Sequence, residues 1–493
     1  MLRNSWLPFC LLLIVTSCTH ELPIVADDSG YPPEIDAIVM TQCATPGCHT
    51  EASSAAAGGL DLSSFGAMLR GTSNGAVVIP FRPDFSLLCY YTNTDSTQGI
   101  VALPTMPINA APLTASQYAL LRDWISSGAP DINGLVPFSS NPGRAKAYVI
   151  NQGCDVATVF DAETMVAMRM VDLGQLPGAT PPESPHGVKV TPDGKFWCVV
   201  FLNANIVQVF DASTDQLVRS IPIGNGVAGG WNTLVIADNS RDAYAVDYNG
   251  GRIAFIDLLA GTSQTNGPFP ITGNPVPNLH GIALSASQDT LYVTCQEISK
   301  LLKIPVNNIA DYSDVNLNPP GPWQSSSLLK PHEVVFSPDY SKYFVTCQDT
   351  NVNQVRVFST SNDQLIQVVP VGKVPLEMAV SASTGHLFVT NTEDDYFAGM
   401  RGSISVIDVN SLTEIKRVRT GWQPHGIAID EVLGKVIVAN RNFIGGTAPH
   451  HAASCAGKNG YLSSIKLTTL EADPSFSPEV SVDPYAVSIR RIP

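Results

Sequence analysis

The sequence predicts two folds in one chain: a small all-α domain over residues 31–133 and an all-β propeller of seven blades over residues 145–493. Three observations lead there. The second part repeats one phrase, as in PHGVKVTPDGKFWCVVFLNANIVQVFDASTDQLVRSIPIG from Pro185 and PHEVVFSPDYSKYFVTCQDTNVNQVRVFSTSNDQLIQVVPVG from Pro331. The first part carries apolar residues at helical spacing with helix-start signals. The composition, with 38 Gly, 37 Pro and only 14% charged residues, suits many short strands joined by tight turns. At 493 residues the chain is too long for one core.

Each repeat reads as strand, polar turn, strand, turn and two more strands. A period of roughly 40 to 50 residues with four strands signals a β-propeller blade. Further copies start at Leu279, Pro375 and Pro424, and a blurred one at Trp231. The first stretch, GRAKAYVINQGCDVATVFDAETMVAMRMVDLG, matches only strands two to four, and DPYAVSIRRIP at the C-terminus matches strand one. The two ends therefore complete one hybrid blade, which removes the exposed sheet edges. The wording "FVTN" and "YVT" resembles the YVTN/YncE-like seven-bladed propellers.

Residues 1–18, MLRNSWLPFCLLLIVTSC, have one basic residue and a short apolar run, the pattern of a signal peptide. The ending VTSC resembles a bacterial lipobox. That resemblance implies lipidation of Cys18, export, and a lipid-anchored protein of the periplasm or outer membrane. Residues 19–30 read as a polar tether and residues 134–144 as a linker.

In the helical part, Pro32 and Pro33 open a helix with Ile35, Ile38 and Val39 on one face. Thr114 and Gln117 make a capping box for a second helix carrying Tyr118, Leu121, Trp124 and Ile125. Between them lies CATPGCH, with Cys43, Cys48 and His49. The spacing is two residues wider than the usual Cys-x-x-Cys-His haem attachment. Three chemistries fit it: haem attachment, a small disulfide loop, or a zinc site, though zinc needs a fourth ligand. In the haem reading two thiols add to the vinyl groups and His49 supplies the proximal nitrogen. A Met sulfur on the other side raises the potential. Met106, in PTMP, is the candidate, and Met68 the other Met in range.

This helix, CATPGCH, MP and final WISSGAP helix resemble small cytochrome c modules of exported Bacteroidetes and Planctomycetes proteins, some with widened CATPGCH-like motifs. The resemblance covers about a hundred residues. It implies a class I-like cytochrome c domain holding haem c through Cys43, Cys48, His49 and Met106.

Four of nine histidines stand at the same repeat position, the start of the innermost strand: His186, His280, His332 and His425. Asn232, Leu376 and Tyr485 take that position in the other blades. The long loop NRNFIGGTAPHHAASCAGKNG adds His450 and His451, which the repeat geometry places at the same mouth. Such a cluster binds copper, zinc, iron or a second haem, or else consists of packed, hydrogen-bonded core histidines. Cys154 and Cys455, in the first and last blades of a closed ring, are candidates for a disulfide.

The net charge of −15 repels phosphate backbones and excludes nucleic acid as a partner. The remaining reading is an electron-transfer cytochrome with a redox partner protein or a small-molecule donor or acceptor. Its alternatives are an oxidoreductase with a second metal or cofactor at the propeller axis, and a haem-free binding or scaffold lipoprotein.

Overall fold

The computed structural model describes residues 29–72, 74–175, 181–271, 274, 277–449 and 451–492. Cys18 and His450 lie outside them. Among the described residues no helix is long and apolar enough to cross a membrane.

Residues 29–133 contain four α-helices: α1 (Pro33–Gln42), α2 (Phe65–Arg70), α3 (Leu87–Thr92) and α4 (Ala115–Ser126). The capping box forms as the sequence predicts, with Thr114 and Gln117 satisfying each other's backbone amides. Ile35, Val39, Leu121, Trp124 and Ile125 share one core with Tyr31, Phe65 and Met68. Met68, 1% exposed, is thereby a packing residue.

The rest is a ring of seven four-stranded antiparallel sheets. The sheet that starts the ring takes its innermost strand, Pro484–Arg490, from the C-terminus, paired with Lys146–Asn151. Between sheets, aromatic and β-branched residues interlock, as where Trp197 stacks between Tyr148 and Phe210 at 4.7 and 4.0 Å. One ion pair is buried between blades one and two. Lys146 Nζ lies 2.7 Å from Asp215 Oδ2, and the Tyr148 hydroxyl donates to Asp215 Oδ1. The Cys154–Cys455 disulfide forms, tying blade one to blade seven.

The inner strands explain the Pro-His-Gly wording. A Cβ on Gly281 would stand 2.5 Å from the His332 carbonyl oxygen, and one on Gly426 2.6 Å from that of Tyr485. The glycine lets the next blade's inner strand approach this closely. Threonines add cross-blade hydrogen bonds: the Thr294 hydroxyl donates to the His332 carbonyl and that of Thr346 to the Leu376 carbonyl, both at 2.8 Å. Thr392 donates to the Pro424 carbonyl at 2.7 Å.

The helical region rests on the rim of the ring. Arg82 pairs with Asp172 at 2.9 Å and donates to the Met170 carbonyl, both on the outermost strand of blade one. The Glu479 amide, on the outermost strand of blade seven, donates to the Asn74 carbonyl. Ile79 and Phe85 pack into the cluster formed by those two blades.

Candidate functional sites

The Cys43-to-His49 loop follows directly on α1. The Cys43 amide closes the helix on the Val39 carbonyl, and the His49 amide donates to the Cys43 carbonyl. Neither Cys43 nor Cys48 is in a disulfide. Cys43 is buried and its thiol pushed up to about 11, by burial first and by Cys48 second; Cys48 is exposed. The His49 Nδ1 faces the Leu60 carbonyl at 3.4 Å. That contact favours a proton on Nδ1 and leaves a lone pair on Nε2, the arrangement of a metal-ligating imidazole. Burial keeps this imidazole below its usual pKa, against the opposing effect of the Leu60 carbonyl.

The donor set fits haem better than zinc. Among the described residues, the only group of His, Cys, Asp or Glu ligand atoms converging within 4.8 Å lies elsewhere. A tetrahedral zinc site needs such convergence. Haem does not, because its vinyl groups and iron are several bonds apart. Met106 is half-buried, and its amide donates to the Tyr91 carbonyl at 2.7 Å. Around it Val101, Leu103 and Ile108 expose apolar side chains, Leu103 to 80%.

At the propeller axis the structure brings together His186, His280, His332 and His425. Ring centroids of His280 and His332 are 3.7 Å apart, and those of His425 and Tyr485 also 3.7 Å. His186 packs on Tyr485 at 4.1 Å. The Nδ1 of His186 faces the Asn232 carbonyl at 2.8 Å, and that of His425 the Tyr485 carbonyl at 3.0 Å. Burial holds His186 down to about 3 and pushes His280 and His425 well below the usual histidine range. Burial thus favours the neutral form of His186, His280 and His425. His186 and His425 line an axial channel of about 410 Å³.

His451 does not join them. Its loop turns outward along blade seven, where the His451 amide donates to Glu479 Oε1 and its ring meets Tyr91 at 6.2 Å. The disulfide at Cys455 ties the loop to the blade seven–blade one seam, and the backbone is then committed to the rim.

The axis also holds two carboxyl groups beside the histidines. Glu333 is buried and Glu377 half-buried at the axis, in the position of the motif's glycine: His-Gly becomes His332-Glu333 and Leu376-Glu377. That substitution in a repeated phrase is the signal that could have identified them. Burial, with Glu377 close by, pushes Glu333 far above the carboxylate range. Burial acts on Glu377 in the same direction, but His332 at 3.3 Å, with His280 and Lys189, outweighs it and holds Glu377 below its usual value.

These shifts have a measurable sign. On acidification from pH 6.5 to 4.5, unfolding lets His186, His280 and His425 take up protons that the folded state refuses. Glu333 opposes them by one proton, because it is protonated folded and ionised unfolded. Near pH 5.5 the unfolded state holds about two protons more than the folded one, so stability falls as the pH falls, by roughly 3 kcal/mol per unit there; below that Glu377, held ionised when folded, adds to the uptake. Urea unfolding at a series of pH values, with metals chelated, should show this slope. His186→Asn should reduce it by about half, and an unaltered slope would count against the assignment.

No curated protein matches the chain. A candidate 6-phosphogluconolactonase from Bacteroides uniformis ATCC 8492 superposes with a TM-score of 0.50 at 17% identity, over 70% of this chain and 99% of its own. A functionally unknown protein from Desulfotomaculum acetoxidans DSM 771 does so at 0.50 and 14%, over 71% and 99%. Dihydro-heme d1 dehydrogenase NirN, in complex with DHE, reaches 0.48 at 14%, over 85% and 94%. At such identities the likeness is one of fold. Residues 46–100 match the family Planctomycete cytochrome C, so the chain joins a cytochrome c-like segment to a seven-bladed β-propeller.

Proposed function

We propose that the protein is an exported, lipid-anchored c-type cytochrome that passes single electrons to or from a partner, with the propeller as its docking body. The observation that supports this most is the Cys48-His49 pair inside the matched stretch, with a free Cys43 five residues before Cys48. Cys43 and Cys48 would hold haem c covalently, His49 would bind its iron through Nε2, and Met106 would take the opposite side. Bound there, the haem supplies a reversible one-electron iron couple. The Leu60 carbonyl orients His49. Val101, Leu103 and Ile108 are apolar surface suited to excluding water from a haem edge. Export and anchoring rest on the signal pattern ending at Cys18.

The seat of the helical region favours electron transfer to an outside partner over delivery to the axis. Its polar contacts with the ring go to the outermost strands of blades one and seven, and Tyr91 meets His451 in the long loop of blade seven, whereas the four axial histidines are on the innermost strands.

The test is the visible spectrum of protein matured in a periplasm with a haem-attachment system. Haem should resist acid–acetone extraction at about one per chain. Cys43→Ser with Cys48→Ser should lose it entirely, and Met106→Leu should keep it while lowering the midpoint potential. Full-length protein carrying no covalent haem would defeat the reading.

A further inference from the structure

We propose that His332, His425 and Glu377 form a binding site for one divalent transition-metal ion, of the zinc or iron(II) class, at the propeller axis. The site is independent of the haem.

The first ground is convergence. One nitrogen of each imidazole and one Glu377 oxygen all lie within 4.8 Å of one another. A tetrahedral ion with bonds of about 2.0–2.1 Å sets its ligands about 3.4 Å apart, so a small inward shift closes the triad. The second ground is a pair of buried nitrogens with no hydrogen-bond partner. His425 is 1% exposed and His332 3%, and the Nε2 of each lacks one. His332 Nε2 does lie 3.3 Å from Glu377 Oε1, close enough for an ion pair but off the line of a hydrogen bond. Leaving such groups unmet is costly; an ion would satisfy both.

The surroundings are those of a ligand set. The Tyr485 carbonyl accepts from His425 Nδ1–H and so directs the Nε2 lone pair inward. The amide nitrogens of Gln348 and Gln296 face His332 Nδ1 at 3.3 and 3.5 Å, so ligation through Nε2 requires one of these amides to turn over. A glutamine amide can turn its oxygen to an Nδ1–H, which leaves His332 Nε2 free to ligate.

The donor types select the ion. Two imidazoles and one carboxylate suit zinc or iron(II), whereas calcium and magnesium take oxygen shells and copper(I) prefers sulfur. Three protein ligands leave a coordination position open. The 410 Å³ channel lined by Glu377 and His425 has room there for a small oxygen-donor molecule.

Full-length, haem-loaded protein dialysed against Zn²⁺ should retain one zinc per chain. Glu377→Gln and His425→Asn should each weaken zinc binding at least tenfold in chelator competition. His186→Asn, and His450→Ala with His451→Ala, should leave it unchanged. Asparagine is a tolerated choice, since Asn232 occupies the same position in blade three. Should either weakened variant fail to fold, zinc-edge X-ray absorption of the wild-type protein decides, with two imidazoles and an oxygen expected in the first shell. Absence of zinc, affinity unaltered by Glu377→Gln and His425→Asn, dependence on His450 and His451, or a sulfur-containing shell would each overturn the proposal.

Discussion

A chain ending at Asp483 should give no cooperatively folded propeller. The missing residues, 484–493, include the whole innermost strand of blade one. Without it, Lys146–Asn151 loses its ladder partner and the ring opens beside its axis. Tyr485 and Val487, both buried, go with it. So do the Arg490 contacts to the carbonyls of Gly194, Pro142 and Arg144, and the Arg491–Asp430 pair at 2.5 Å. An open ring also exposes two unpaired edges, which template aggregation. Thermal unfolding followed by circular dichroism is the measurement. A soluble truncated protein melting within about 5 °C of the full chain would show that closure contributes little, since ΔΔG of 1 kcal/mol moves a large domain by about 2–4 °C.

The second large effect is expected at the buried Lys146–Asp215 pair. Both side chains are 5% exposed. Burial lowers the Lys146 pKa and raises that of Asp215, so each charge is costly here without the other. Asp215→Ala strands an ammonium between two blades and should cost about 3–5 kcal/mol. Replacing both partners, Lys146→Met with Asp215→Leu, removes the charge together with its desolvation penalty and should recover most of that loss. Trp197, stacked on Tyr148 beside the pair, gives a fluorescence signal for urea unfolding. A single variant losing under 1 kcal/mol would mean that water or another group reaches Lys146.

The architecture was legible because repetition multiplies a weak signal. One Pro-His-Gly phrase says little, but several in register say where each blade begins and which residue faces the axis. The hybrid blade followed from matching partial phrases at the two ends, and Cys154–Cys455 from the resulting neighbourhood. Glu377 reaches the axis for a geometric reason. At the start of the inner strands the ladder shifts register, between Pro331 and Val334 in blade five and between Pro375 and Met378 in blade six. A bulge breaks the strict alternation of faces. Two consecutive residues, Leu376 and Glu377, can then both approach the centre, which simple counting by twos does not anticipate. His451 was misplaced because a long loop takes its course from anchors distant in sequence, here the disulfide and Glu479.

The cross-blade threonine contacts have a consequence for how the centre of the ring can change. They hold the axial residues by their main-chain carbonyls, as at His332 and Leu376. The side chains of His332 and Leu376 are therefore free of that task, whereas His186, Asn232 and His425 themselves reach a carbonyl of the next blade. Histidine, asparagine, leucine and tyrosine all stand there in one molecule. The fold offers seven sockets around one channel. At His332 and Leu376 the main chain stays tied whatever fills the socket, so the chemistry there can be exchanged without rebuilding the protein around it; at His186 and His425 a replacement must also restore a donor to the neighbouring carbonyl.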